Sequence, residues 1–168
     1  MLKSQNRLKL KAIVATLCLL QFGSASFAST TTSTFTTQVA IVASCTINSA
    51  STLNFGSQGV LIANVDQTST VQVQCTNTTP YNVGLDAGTG TGATVAVRKM
   101  TSGANTVNYS LYSDSGRTTV WGNTVGTDTV AATGNGASQS YTVYGRVTAQ
   151  TTPAPATYSD TVTVTVTY

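Results

Sequence analysis

The residues able to do chemistry are few. Beyond position 28 they are Cys45 and Cys75, Lys99, three arginines, and five aspartates: Asp66, Asp86, Asp114, Asp128 and Asp160. The 168-residue chain has no histidine. That removes the commonest general base, and with it Ser-His-Asp and Cys-His nucleophiles. It also removes the commonest zinc ligand. Glycoside hydrolysis needs two carboxylates converging on one bond, and nothing in the spacing brings Asp114 and Asp128 together. A Ser-Lys dyad would have to use Lys99, which beside Arg98 on an expected strand edge reads as half of a solvated pair. Asp66, Asp114 and Asp128 lie among Asn, Ser, Thr and Gly, and read as turn formers rather than calcium ligands. The chain is therefore read as a non-enzyme with no catalytic, cofactor or metal residues.

Two other patterns touch on binding. Tyr109, Tyr112, Trp121, Tyr141 and Tyr144 cluster in sequence, and on one exposed face they would stack on sugars. Large aromatics dominate sandwich cores, so Tyr109 and Trp121 are expected inside, with Tyr112 and Tyr144 on either side. The stretch Gly88-Thr89-Gly90-Thr91-Gly92 lacks the Gly-Lys-Ser/Thr and following helix of a phosphate loop, and reads as a hairpin connection.

The elements that must position these residues start after a targeting segment. Lys3, Arg7, Lys9 and Lys11 precede an apolar stretch from Ala12 to Phe22, then Ser26-Phe27-Ala28. This is read as a secretory signal peptide over 1–28, too short in its apolar part to span a membrane. Cys18 follows Leu17, where a lipid-attachment cysteine would need a small neighbour, so it is read as discarded. The formal charge of +3 then falls away: Arg98, Lys99, Arg117 and Arg146 against five aspartates is four minus five, or −1. No basic patch remains to neutralise a phosphate backbone, so nucleic acid is not an expected partner. In an exported chain Cys45 and Cys75 are expected to form one disulfide.

The rest is rich in Thr, Ser, Val and Gly, has no Glu, and favours strands over helices. Residues 29–43 read as an extension, nearly all Ser and Thr at first, and unable to fold alone. Phe35, Thr37, Val39 and Ile41 within it share one parity. Residues 44–168 read as one domain of short strands near 44–48, 53–55, 69–76, 81–86, 95–99, 108–112, 140–148 and 158–168. The last is the strongest, with Val162, Val164, Val166 and Tyr168 on one face and threonines on the other. A final strand must find an edge in its own sheet or offer one to another chain. This pattern gives an all-β sandwich of antiparallel sheets.

Several segments together resemble the spore coat protein U domain family. They are Cys45-Thr46-Ile47 with Leu53-Asn54-Phe55-Gly56; Tyr109 to Asp114 followed by Arg117 to Gly122; Tyr141 to Arg146; and Pro153-Ala154-Pro155 with Tyr158-Ser159-Asp160. The family includes pilin subunits of archaic chaperone–usher pili, besides a spore coat protein. The resemblance implies an immunoglobulin-like β-sandwich that is incomplete, missing its last strand, and completed by donor-strand complementation. It implies a periplasmic chaperone, an outer-membrane usher and other pilin subunits as partners, and export through the periplasm to a surface fimbrium. Phe35, Thr37, Val39 and Ile41 are the expected donor strand. Val162, Val164, Val166 and Tyr168 are the expected wall of the acceptor groove, pairing with the chaperone strand. The function expected is that of a structural pilin supporting adhesion and biofilm formation. The alternatives are a secreted spore or cell-surface coat protein and, less favoured, a carbohydrate-binding tip adhesin.

Overall fold

The computed structural model describes residues 26–168, so most of the expected signal peptide lies outside the described residues. Residues 26–39 belong to a unit of their own; they carry no regular secondary structure and are exposed. Ala40–Tyr168 forms the second unit. Every regular element among the described residues is a strand: β1 (Cys45–Ala50), β2 (Val65–Cys75), β3 (Pro80–Leu85), β4 (Arg98–Ser102), β5 (Asn105–Tyr112), β6 (Val130–Thr133), β7 (Ser138–Val147) and β8 (Val164–Thr167).

These strands form two antiparallel sheets, one ordered β1-β2-β7-β5-β4 and the other β6-β3-β8. Period-two alternation decides which side chains meet between them. Val71, Val73 and Cys75 of β2, Val107, Tyr109 and Leu111 of β5, and Val143 and Val147 of β7 point inward from the larger sheet. Tyr81, Val83 and Leu85 of β3 answer from the smaller one, and Trp121 fills the space beside them. Trp121 donates its indole N–H to the Val83 carbonyl at 2.8 Å, so its polar end is satisfied in the core. Tyr109 and Trp121 thus sit where expected, while Tyr112, Tyr141 and Tyr144 are half-buried.

The structure corrects the sequence reading of the strands and of Arg98 in four places. Leu53–Phe55 is not a strand. Its side chains do turn inward, but the chain runs as an irregular strap, bent where the Asn54 side chain accepts the Gly56 N–H (2.8 Å) and Gly56 takes φ +72°. β6 was not anticipated, because four residues between Gly126 and Gly134 carry too little alternation to register. The final strand is shorter than 158–168: Ser159 bridges to Thr101 at the β4 edge, and only from Val164 does the chain pair with β3. Arg98 is not part of a solvated pair. It is 0% exposed and begins β4, which lies three residues later than the 95–99 segment anticipated.

Candidate functional site

The feature that the sheets leave unfinished lies between β1 and β8. Each is the last strand of its sheet, and their free edges approach to within 8 Å (Cα–Cα) without a hydrogen-bonded ladder. β1 shows the consequence. Cys45 and Ile47 face Cys75 and Val73 across the ladder, and paired residues share a face. A bulge at Asn48 then resets the register so that Ala50 faces Val71. Ile47 therefore points toward the core, yet it is 42% exposed, while its partner Val73 is fully buried. An inward residue is open to water because, among the described residues, no strand is laddered onto the free edge of β1.

The gap widens into a cavity of about 1160 Å³. Val162 and Val164 form one wall, Ala50 and Ser69 the other, and Leu85, Tyr109, Leu111 and Val143 the floor. The strap from Leu53 to Leu61 and the segment 152–158 frame the mouth. Leu61 is stitched in place by donation to the Thr152 hydroxyl (2.8 Å) and by accepting the Gln150 N–H (2.9 Å). Leu53 and Phe55 lie over Gly145, where a Cβ would meet Leu53 Cδ2 at 2.4 Å and Phe55 Cζ at 3.0 Å. Gly145 is thus the space that the strap occupies. Val166 is half-buried outside this lining, and Tyr168 is 60% exposed beyond it. The cavity is bounded by two of the four expected wall residues, at the entry of β8.

That entry is anchored by carboxylates. Asp160 accepts the Tyr109 hydroxyl (2.8 Å) and the backbone and side chain of Thr89 (2.7 and 2.8 Å). Burial, together with the Asp160 carboxylate, pushes the Tyr109 phenol well above its ordinary value. Asp86 accepts N–H groups from Gly88 and Thr163, both at 2.9 Å. Burial pushes the Asp86 carboxyl up, but hydrogen bonds from Thr163 and Gly88 outweigh it and leave it below the usual range. Behind them Arg98 donates to four carbonyls: Asp86 (2.7 Å), Val95 (2.7 Å), Leu85 (2.9 Å) and Trp121 (2.8 Å). Desolvation lowers the Arg98 pKa, opposed by the charges around it, including Asp86 and Asp160. This guanidinium rivets β4 of the larger sheet to β3 of the smaller one. No sequence signal marks it, because its acceptors come from three separate segments.

The remaining candidates are spent structurally. Cys45 and Cys75 form the expected disulfide, tying edge strand β1 to β2. Asp114 caps its own turn, accepting from Thr118 and Thr119, and Asp128 accepts from Thr124. Asp66 is not a turn former. It lies on β2 opposite Arg146 of β7, which clasps it with two 2.7 Å hydrogen bonds. That clasp, with help from Arg117 nearby, holds the Asp66 carboxyl below its usual range despite the opposing effect of burial. Arg117 also lies 5.7 Å over the Tyr144 ring, so that aromatic face is covered rather than offered to a sugar. No cluster of metal-ligating side chains occurs among the described residues, and no helix of the structure is long and apolar enough to cross a membrane. The expected donor residues Phe35, Val39 and Ile41 are exposed, as is Thr37.

The profile of the Spore Coat Protein U domain matches residues 31–165. "Protein U" of Myxococcus xanthus is 33% identical over 172 residues, covering 94% of this chain and 95% of its own. Among solved structures, a chain similar to this one comes from the chaperone–tip adhesion subunit pre-assembly complex of the archaic chaperone-usher Csu pili of Acinetobacter baumannii. It is 28% identical with a TM-score of 0.56, over 76% of this chain and 40% of that one. The two sheets, with β1 and β8 as free edges, are those of an incomplete immunoglobulin-like sandwich of the pilin type. The resemblance read from the sequence holds: this chain belongs to the Spore Coat Protein U domain family.

Proposed function

We propose that this chain is a structural pilin subunit of a chaperone–usher surface fimbria, polymerising by donor-strand exchange. One observation carries the reading: two facing strand edges stand unpaired over an apolar cavity. An extended segment laid between them would gain main-chain hydrogen bonds from both edges and pockets for alternate side chains, which is β-augmentation. Residues 29–43 are the proposed donor of a neighbouring copy. Phe35, Thr37, Val39 and Ile41 span the same number of alternate positions as Val162, Val164, Val166 and Tyr168. Accommodating a strand takes two ladder spacings, about 9.6 Å in all, so the edges must part where they now come within 8 Å. A periplasmic chaperone that holds them apart is the partner this geometry calls for. Export through the periplasm, passage through an outer-membrane usher, and a role in adhesion and biofilm formation complete the proposal.

The arrangement is head-to-tail. The extension leaves beside Cys75, where Ser44 and Thr76 bond to each other. The cavity mouth lies at the other end of β2, an 11-residue strand about 33 Å long. A donor at one end and an acceptor at the other make a heterologous contact that does not close, and hence a filament. Replacing Val39 and Ile41 with Asp should abolish the ladder that unboiled surface material gives on a denaturing gel, while chaperone capture persists. Ladders that survive the double substitution would overturn the donor assignment.

A second reading is a coat protein assembled without an usher. It is favoured by the match along nearly the whole of Protein U, against 40% of the pilus chain. Material that layers onto the surface as heat-insensitive sheets, with no ladder and no fibres by electron microscopy, would select it. The tip-adhesin reading requires strong binding of the monomer on a glycan array.

A further inference from the structure

Three aliphatic side chains more than 70% exposed take no part in the strand-to-groove pairing. Val60 and Ile62 are 73% and 82% exposed on the strap. They flank Leu61, which is buried and fixed at both its backbone N–H and its carbonyl. The two aliphatics are thus held exposed at a fixed place, Val60 on the cavity lining and Ile62 just beyond it, rather than on a loose loop. The third is Val42, 72% exposed. It follows Ile41 directly and has the opposite parity to Phe35, Val39 and Ile41, so it cannot enter the groove with them.

The direction of the inserted segment decides whether these three meet. Two observations, independent of each other, set it. First, the cavity lies beside Val162 and Val164 and not beside Tyr168. The paired aliphatics Val39 and Ile41 suit that end, and Thr37 and Phe35 then lie toward Tyr168. Second, in this orientation the donor's own domain emerges at the cavity mouth, clear of the acceptor's extension. The reverse orientation would bring it out beside Cys75, where the acceptor's own extension already leaves. The donor therefore runs antiparallel to β8, with Ile41 at the mouth and Val42 just outside it.

Resting on the pilin reading above, we propose that Val60 and Ile62 form a second docking surface for the adjacent copy of this chain, centred on its Val42. Insertion of the strand supplies the tether, and this contact fixes the angle between successive domains. Exposed aliphatics on both sides are removed from water by one junction, which accounts for their presence on each.

The test uses the full chain co-expressed with its assembly partners, carrying Val42→Cys and Ile62→Cys together. Within one chain the two positions lie at opposite ends of β2 and cannot bridge. Between adjacent copies they can. The expected result is a ladder that survives boiling under non-reducing conditions and collapses on reduction. Wild-type polymer, by contrast, falls to monomer on boiling. An unboiled ladder that still falls to monomer on non-reducing boiling would overturn the docking surface while leaving the pilin reading standing. A boil-resistant ladder from Val42→Cys with Tyr168→Cys instead would overturn the orientation. Absence of any unboiled ladder or fibre from wild-type protein would remove the pilin reading itself. As an independent measure, Val60→Asp with Ile62→Asp should leave the ladder intact but broaden the bend-angle distribution between subunits in micrographs at least twofold; an unchanged distribution counts against the contact.

Discussion

Removing the Arg98 guanidinium should destabilise the fold more than any other single change at a charged residue. In Arg98→Met the aliphatic stem survives and the carbonyls of Leu85, Asp86, Val95 and Trp121 lose their donor. Each buried carbonyl left without a partner costs roughly 1–3 kcal/mol, so four set a ceiling of about 12 kcal/mol. The wild type already bears the desolvation of a fully buried cation, which the substitution relieves, and water can reach some carbonyls afterwards. A net loss equal to that of two charge-assisted hydrogen bonds, about 3–5 kcal/mol, is the value expected. With a urea slope of about 2 kcal/mol/M, the midpoint should fall by roughly 2 M. The chain's single tryptophan, Trp121, is buried against this site, so its fluorescence reports the transition directly. Arg98→Lys keeps the charge but cannot reach four acceptors at once, and should fall in between. A midpoint within about 0.5 M of wild type for Arg98→Met, at unchanged slope, would refute the rivet.

Gly145→Val should expel Leu53 and Phe55 from the sheet, since even a Cβ there meets Leu53 Cδ2 at 2.4 Å. The expected loss is about 2–4 kcal/mol in chemical denaturation, together with faster proteolysis within residues 51–64. Replacing Cys45 and Cys75 with Ala opens a loop of 30-residue separation and should cost about 3–4 kcal/mol in the chain-entropy model; an unchanged denaturation midpoint would contradict it. The carboxyls of Asp66 and Asp86 are held below their ordinary values in the folded state. Their contribution is present above the unfolded value of about 4 and is lost as the pH falls through the folded values, so melting temperature should drop on acidification below about pH 4. Tyr109 and Tyr141 are shifted upward, by burial first and by their hydrogen-bond partners second. Their contribution is complete below pH ~10 and is lost as the pH rises beyond it. Spectrophotometric titration should show Tyr109 and Tyr141 ionising only as the protein unfolds.

What the sequence disclosed was set by the range of the physics involved. Alternation is local, so β2, β7 and the Val162–Val166 face could be read directly. The inward turn of Leu53 and Phe55 was also local, but their pairing was not: whether a neighbour's edge is available is a tertiary fact, and Gly145 made a packing site there instead of a ladder. The exposure of Ile47 was equally hidden. Its parity with Cys45 marks it as inward, but only the strand order shows that no strand lies beside it. Arg98 is the extreme case, because a cation next to Lys99 satisfies every rule for a surface residue until four carbonyls converge on it. Asp66 misled for a similar reason, its polar neighbours suggesting a turn where Arg146 across the ladder makes a strand position favourable.

The path of the chain at the entry to β8 bears on mechanics. Ser159 is joined to Thr101 in one sheet, and five residues further on the same chain is laddered to β3 in the other. A pull applied along β8 loads its four pairs with β3 in shear, so they resist together rather than opening one by one. Force that passes beyond them reaches the Thr101–Ser159 bridge and the Arg98 rivet, both of which tie into β4. The two sheets therefore share a tensile load instead of peeling apart, and the domain should extend as one brittle unit with a single rupture force. A fibre of such units would take up strain at the junctions between domains while each domain keeps its shape.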